Sequence, residues 1–210
     1  MISIDQLSLM GLMFLDDMFK RIVLESNTYL SKLQQELGQE LQIHYWKFEH
    51  PPSKIINELI KIEEASFPPE LRYSFEEFSV LFTQKNPILM IMSVDKIFNS
   101  FLLIYEDPED PKALYMDSAA SLSKGRKMRF VKLMTAILYI WGYHQDYERL
   151  NLRTEDINHQ GLPLREIWEC QGFREYHRDD KGVYMGIEIY KELVDQVILW
   201  ITGKIDNVHG

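Results

Sequence analysis

The chain has 210 residues, 46% of them hydrophobic, which is enough for a substantial core and too apolar for disorder. A formal net charge of −9 argues against nucleic acid as the main partner, since phosphate backbones need a cationic face. Cys170 is the only cysteine, which rules out an internal disulfide and a cysteine-based zinc site; the histidines show no helical ligand spacing, so no metal is expected.

The apolar run Leu7–Leu15 is too short to span a bilayer and lies between Asp5 and Asp16–Asp17. It lacks a basic leader, so the expectation is a soluble cytoplasmic protein with no membrane contact. Residues 1–40 read as helical. Leu12, Leu15, Phe19, Ile22, Tyr29 and Leu33 recur at helical spacing, and Val23, Leu30 and Leu37 widen the stripe. The Ser26–Asn27–Thr28 cluster offers a break into two helices, and Gly38 an end. A stripe this wide suits packing on a globular body, or a homodimer contact through the N-terminal helices.

Leu41–Phe48 alternates as a first strand, ended by Pro51–Pro52. Ser53–Ser66 is an amphipathic helix with Ile55, Leu59 and Ile62 on one face, stopped by Phe67–Pro68–Pro69. Ser74 followed by Glu77 matches a capping box and opens a helix carrying Phe75, Phe78 and Phe82. Pro87–Val94 and Ile97–Tyr105 form a hairpin across Asp95–Lys96. An acidic proline loop over 106–112 leads to a strand at Tyr115–Ala120, a basic turn and a long apolar helix from Met128.

Lys124, Arg126, Lys127, Arg129 and Lys132 crowd the start of that helix. Unpaired N–H groups and the positive end of the helix dipole, ringed by cations, make an anion site or a solvated basic turn. Arg149–Arg153 is a short strand, Leu164–Cys170 a helix, and Phe173–His177 with Val183–Tyr190 a hairpin. Leu193, Val197, Trp200 and Ile201 mark a last helix. Mixed order with antiparallel hairpins and crossover helices argues for an α/β fold, one mixed sheet flanked by helices. Three segments follow: a helical extension over 1–40, the main domain over 41–190, and a C-terminal helix and tail over 191–210.

This order, with certain local phrases, resembles the GNAT N-acetyltransferase superfamily. Residues 55–78, with Ser66-Phe-Pro68 at a helix end, look like its first helices. PILMIMSVDKIFNSFLLIY (87–105) looks like its second and third strands, and LYMDSAASLSKGRKM (114–128) like its fourth strand and acetyl-CoA loop. WECQGFRE (168–175) is similar to a helix end that often reads Tyr-x-x-x-Gly-Phe. The resemblance implies a GNAT-like acyl-CoA N-acyltransferase fold and transfer of acetyl from acetyl-CoA to a small-molecule or peptide amine. A non-catalytic module binding an acyl-CoA or a protein partner is the alternative.

The family's loop reads Arg/Gln-x-x-Gly-x-Gly/Ala and holds pyrophosphate on backbone amides. Matched residue by residue, Lys124 takes the first position, and Lys127 and Arg129 the two small-residue positions. The cofactor residues so implied are Lys124, Gly125, Arg126, Lys127, Met128 and Arg129, with Asn158 as the nearest match to a helix-preceding asparagine. The pantetheine arm is then expected along Ala119, Ala120 and Ser121. Trp168 stands where many members carry a tyrosine that protonates the leaving thiolate, and indole has no proton to give. Amine acetylation needs a base and a proton donor. The two-residue strand period puts Tyr115, Asp117 and Ala119 on one face. Asp117 or Glu155 is therefore the expected base, and Tyr115 the expected acid.

Overall fold

The structure is a computed structural model that describes residues 17–47, 50–123, 125 and 129–205. Leu12, Leu15, Lys124, Arg126, Lys127 and Met128 lie outside the described residues. The first described helix, α1 (Asp17–Leu37), runs unbroken through the Ser26 cluster. Ser26 is buried, and its hydroxyl donates to the Val23 carbonyl at 2.6 Å, so it satisfies itself inside the helix. Gly38, at φ 64°, supplies the left-handed end.

The other elements are β1 (Leu41–Lys47), α2 (Ser53–Glu64), a 3-10 turn (Pro69–Leu71), α3 (Phe75–Lys85), β2 (Ile88–Val94), β3 (Ile97–Glu106) and β4 (Ala113–Ser121). They continue as α4 (Phe130–His144), β5 (Arg149–Thr154), α5 (Leu164–Glu169), β6 (Arg174–Asp179), β7 (Gly182–Glu188) and α6 (Lys191–Ile201). The capping box forms as expected: Ser74 Oγ accepts from Glu77 N, and Glu77 accepts from Ser74 N. Helix α4 is described only from Phe130, with Arg129 as its left-handed N-cap.

The strands make one seven-stranded sheet in the order β1-β2-β3-β4-β5-β7-β6. Only β4 and β5 pair in parallel, joined by the α4 crossover. One face is covered by α1, α4 and α6. Phe19 and Ile22 of α1, Met134, Ile137 and Trp141 of α4, and Trp200 of α6 share a single core with β2, β5 and β7.

The other face is covered by α2 and α3, but only over β1 to β4. There Trp46, Ile55, Leu59, Phe78, Phe82 and Phe101 form a second core. No described residue of β5, β6 or β7 joins it, so that half of the face lies open. Within α1, Phe19, Ile22, Val23 and Leu30 are buried while Leu37 is exposed, and Phe19 sits 5.1 Å from the Tyr45 ring and 5.8 Å from Trp141. Helices α1 and α6 share the core of the sheet.

Candidate active site

The parallel pairing of β4 with β5 is short. Ala113–Met116 register with Arg149–Leu152, and there the pairing stops. Beyond it, β4 runs on to Ser121 beside β3, while Arg153 and Thr154 stay with β7. The sheet therefore forks after Met116, leaving the edge of β4 from Asp117 to Ser121 without a β5 partner.

A β-bulge coincides with the fork. Ile104 faces Met116 and Leu103 faces Ser118, so Asp117 is the extra residue. This corrects the expectation that Tyr115, Asp117 and Ala119 share a face. The bulge shifts the alternation by one, and Ala119 turns to the α4 side, where it packs against the first core. Asp117 and Tyr115 lie instead on the α2 side, beside Tyr105.

The Asp117 carboxylate accepts from the Tyr105 hydroxyl at 2.8 Å and from the Tyr73 hydroxyl at 2.8 Å. Burial raises its proton affinity above the ordinary carboxylate range, against the pull of those hydroxyls, Arg153 and Lys85. Burial and the neighbouring Asp117 push the Tyr73 and Tyr105 phenols well above their ordinary range, so both stay neutral donors. Tyr115 lies beside Tyr105, ring centroids 5.5 Å apart, and burial pushes it up to about 12 although Arg153 opposes this. Its hydroxyl makes no hydrogen bond among the described residues.

Behind Asp117 lies a second carboxylate. Glu63 of α2 is 1% exposed. It accepts from the Tyr73 backbone N–H at 2.8 Å and from the Ser118 hydroxyl at 3.1 Å. Burial pushes it up to about 7, against those two hydrogen bonds and Arg72. Sequence reasoning missed Glu63, Tyr73, Tyr105 and Ser118. One signal was legible: Glu63 falls four residues after Leu59, on the apolar stripe of its helix.

Glu155 follows β5, half-buried, and its carboxylate has no partner among the described residues. Asn158 is spent on its own loop, its side-chain oxygen accepting from Gln160 N at 3.0 Å and Leu162 N at 2.9 Å. Trp168, half-buried, packs edge-on against Phe173 at 5.3 Å, on the edge of the core. Lys132 leans over the Trp200 ring at 5.3 Å.

At the turn itself, Arg129 has φ 56°, a left-handed conformation that glycine adopts readily. The backbone thus keeps a glycine-type conformation where the family pattern has a small residue, while the side chain is an exposed cation. Gly125 packs so closely on β3 that a Cβ would lie 2.3 Å from both Asn99 Oδ1 and Ser100 Oγ. Ser121 is tied to Ser100, hydroxyl to hydroxyl, at 2.6 Å, and Ala120 is buried in the second core. No metal-binding cluster occurs among the described residues, and no described helix is long and apolar enough to cross a membrane.

No family model matches the sequence, and no curated protein matches it. Solved structures do match in fold. An acetyltransferase of the GNAT family from Staphylococcus aureus Mu50 superposes with a TM-score of 0.56 at 11% identity, covering 72% of this chain and 100% of that one. The PaiA N-acetyltransferase from Thermoplasma acidophilum, in complex with coenzyme A, gives 0.56 at 11% identity, covering 70% and 99%. An aminoglycoside 6'-N-acetyltransferase complexed with coenzyme A gives 0.57 at 14% identity, covering 70% and 98%. The forked mixed sheet and its flanking helices give this chain the fold of the GNAT acetyltransferases.

Proposed function

We propose that the protein transfers an acetyl group from acetyl-CoA to a primary amine, with Asp117 as the base. The observation that carries this is the position of the Asp117 carboxylate, at the bulge where β4 leaves β5. Acetyl-CoA enters as a co-substrate. Its pantetheine arm pairs with the free edge of β4 along Ala119–Ser121, and its pyrophosphate lies at the start of α4. There Arg129 adds charge to the helix dipole, as do Lys124, Arg126 and Lys127 by their place in the sequence.

The acceptor amine approaches from the open face. Asp117 takes a proton from the ammonium, and the freed nitrogen attacks the thioester carbonyl carbon. The tetrahedral intermediate collapses with cleavage of the carbon–sulfur bond, the thiolate takes a proton, and the extra proton left on the nitrogen passes to the group that gave it. Tyr115, a neutral phenol whose hydroxyl is uncommitted, is the donor we assign. A cationic acceptor suits both the carboxylate and the acidic balance of the chain.

Calorimetric titration with acetyl-CoA tests the reading first, followed by transfer to a panel of primary amines. Binding and transfer are expected in the wild type, with transfer lost in Asp117→Asn. No heat and no melting shift at millimolar acetyl-CoA would overturn it. Binding without transfer to any amine would favour the non-catalytic alternative, which draws on Trp168 packing on the edge of the core where a proton donor is usual.

A further inference from the structure

Glu63 plays no part in the transfer step above, yet both of its oxygens are engaged in the interior. A buried carboxylate costs folding free energy, and an apolar side chain would serve α2 better as core. The partners of Glu63 are also those of Asp117. Ser118 follows Asp117 at the bulge, and Tyr73 gives its backbone N–H to Glu63 and its hydroxyl to Asp117.

We propose that Glu63 is a positioning residue for Asp117, an inference that rests on the reading of Asp117 as the base. Ionised Glu63 holds Tyr73 and Ser118 on either side of Asp117. That keeps the Tyr73 hydroxyl on the Asp117 carboxylate, and with it the orientation and charge of the base. No proton passes between the two, because Tyr73 meets Glu63 through its backbone and Asp117 through its phenol.

The charged and titratable groups facing Glu63 are Arg72 and Tyr73, from the segment after α2, and Asp117 of β4. Arg72 is itself tied to the Phe67 carbonyl at 2.8 Å and the Glu64 carbonyl at 3.1 Å. Asp117 is faced by Tyr73, by Tyr105 of β3, by Tyr115 of its own strand, by Arg153 of β5 and by Lys85 of α3. The cations favour ionisation of both carboxylates and burial opposes it.

The test is a carbon-13 NMR titration of the Asp117 carboxylate in the full chain without ligand, comparing wild type with Glu63→Gln. The proton affinity of Asp117 is expected to rise at least about threefold in the variant, because an amide has one acceptor oxygen for two donors and no longer holds both Ser118 and Tyr73, whose hydroxyl bond favours the ionised Asp117. Coincident curves would overturn the proposal. If Glu63→Gln does not fold, Ser118→Ala removes one hydrogen bond to Glu63. It is expected to raise the Glu63 midpoint and move that of Asp117 with it; an unmoved Asp117 curve again overturns the proposal.

With acetyl-CoA and butylamine as probes, Glu63→Gln is expected to lower kcat at neutral pH by about tenfold while leaving the acceptor KM within about twofold. Glu63→Asp should recover part of that loss. Full transfer by Asp117→Asn would sink the base reading itself. An inactive Asp117→Asn beside a Glu63→Gln with the wild-type pH profile would sink only the positioning role.

Discussion

The hydroxyl of Tyr73 donates to the carboxylate of Asp117 at 2.8 Å, across 44 positions of sequence. That bond ties the segment between α2 and α3 to the bulge at which the sheet forks. Asp117→Asn keeps an acceptor for Tyr73 and removes the base. Transfer is expected to fall by about two to four orders of magnitude, with acetyl-CoA affinity unchanged. Steady-state kinetics beside calorimetry checks both halves.

Glu63 makes folding depend on pH. Its proton affinity rises from an ordinary 4.5 to about 7 on folding, so between those values the folded chain holds a proton that the unfolded chain has lost. The contribution is full below about 4.5 and is lost as pH rises through about 7, on the order of 3 kcal/mol. Asp117 acts in the same direction. Urea unfolding across this range should show stability falling with pH, and the slope should flatten in Glu63→Gln. Equal slopes would contradict the assignment.

Arg129 holds a left-handed conformation at the N-cap of α4. Arg129→Gly should relieve about 1 kcal/mol of backbone strain and raise the melting temperature. It also removes a cation from the proposed pyrophosphate site, so acetyl-CoA affinity should drop by about tenfold. A variant that binds more tightly would show that the side chain blocks the turn.

Gly125 has no room for a side chain, since a Cβ would meet Asn99 and Ser100 at 2.3 Å. Gly125→Ala is expected to displace the turn from β3 and weaken acetyl-CoA binding. Calorimetry on the purified variant decides this, with unchanged affinity as the contrary result.

Helix α1 belongs to the core. Phe19 is fully buried between Tyr45 and Trp141, so Phe19→Ala should cost about 3–5 kcal/mol. Removal of residues 1–40 should expose the first core and cause aggregation. A truncated chain that stays monomeric and equally stable would refute this.

The local elements were legible in the order of residues alone. The Ser74–Glu77 capping box, the hairpin turn at Asp95–Lys96 and the apolar stripes of α1, α2 and α6 are set by neighbours a few residues apart, and the structure keeps them. Asp117 and Tyr115 were expected as base and acid from the strand period of β4 and the family resemblance. The rest waited on packing. A one-residue bulge, invisible in the strand period, turned Ala119 away from Asp117. Glu63 and Tyr73 reach Asp117 only because α2 packs on β4, a relation of long sequence separation that no local pattern encodes. Asn158 follows β5 in a loop that its own side chain closes, a turn of local hydrogen bonds rather than of packing. Local spacing fixes which face a side chain takes within one element; the register between elements fixes which side chains meet.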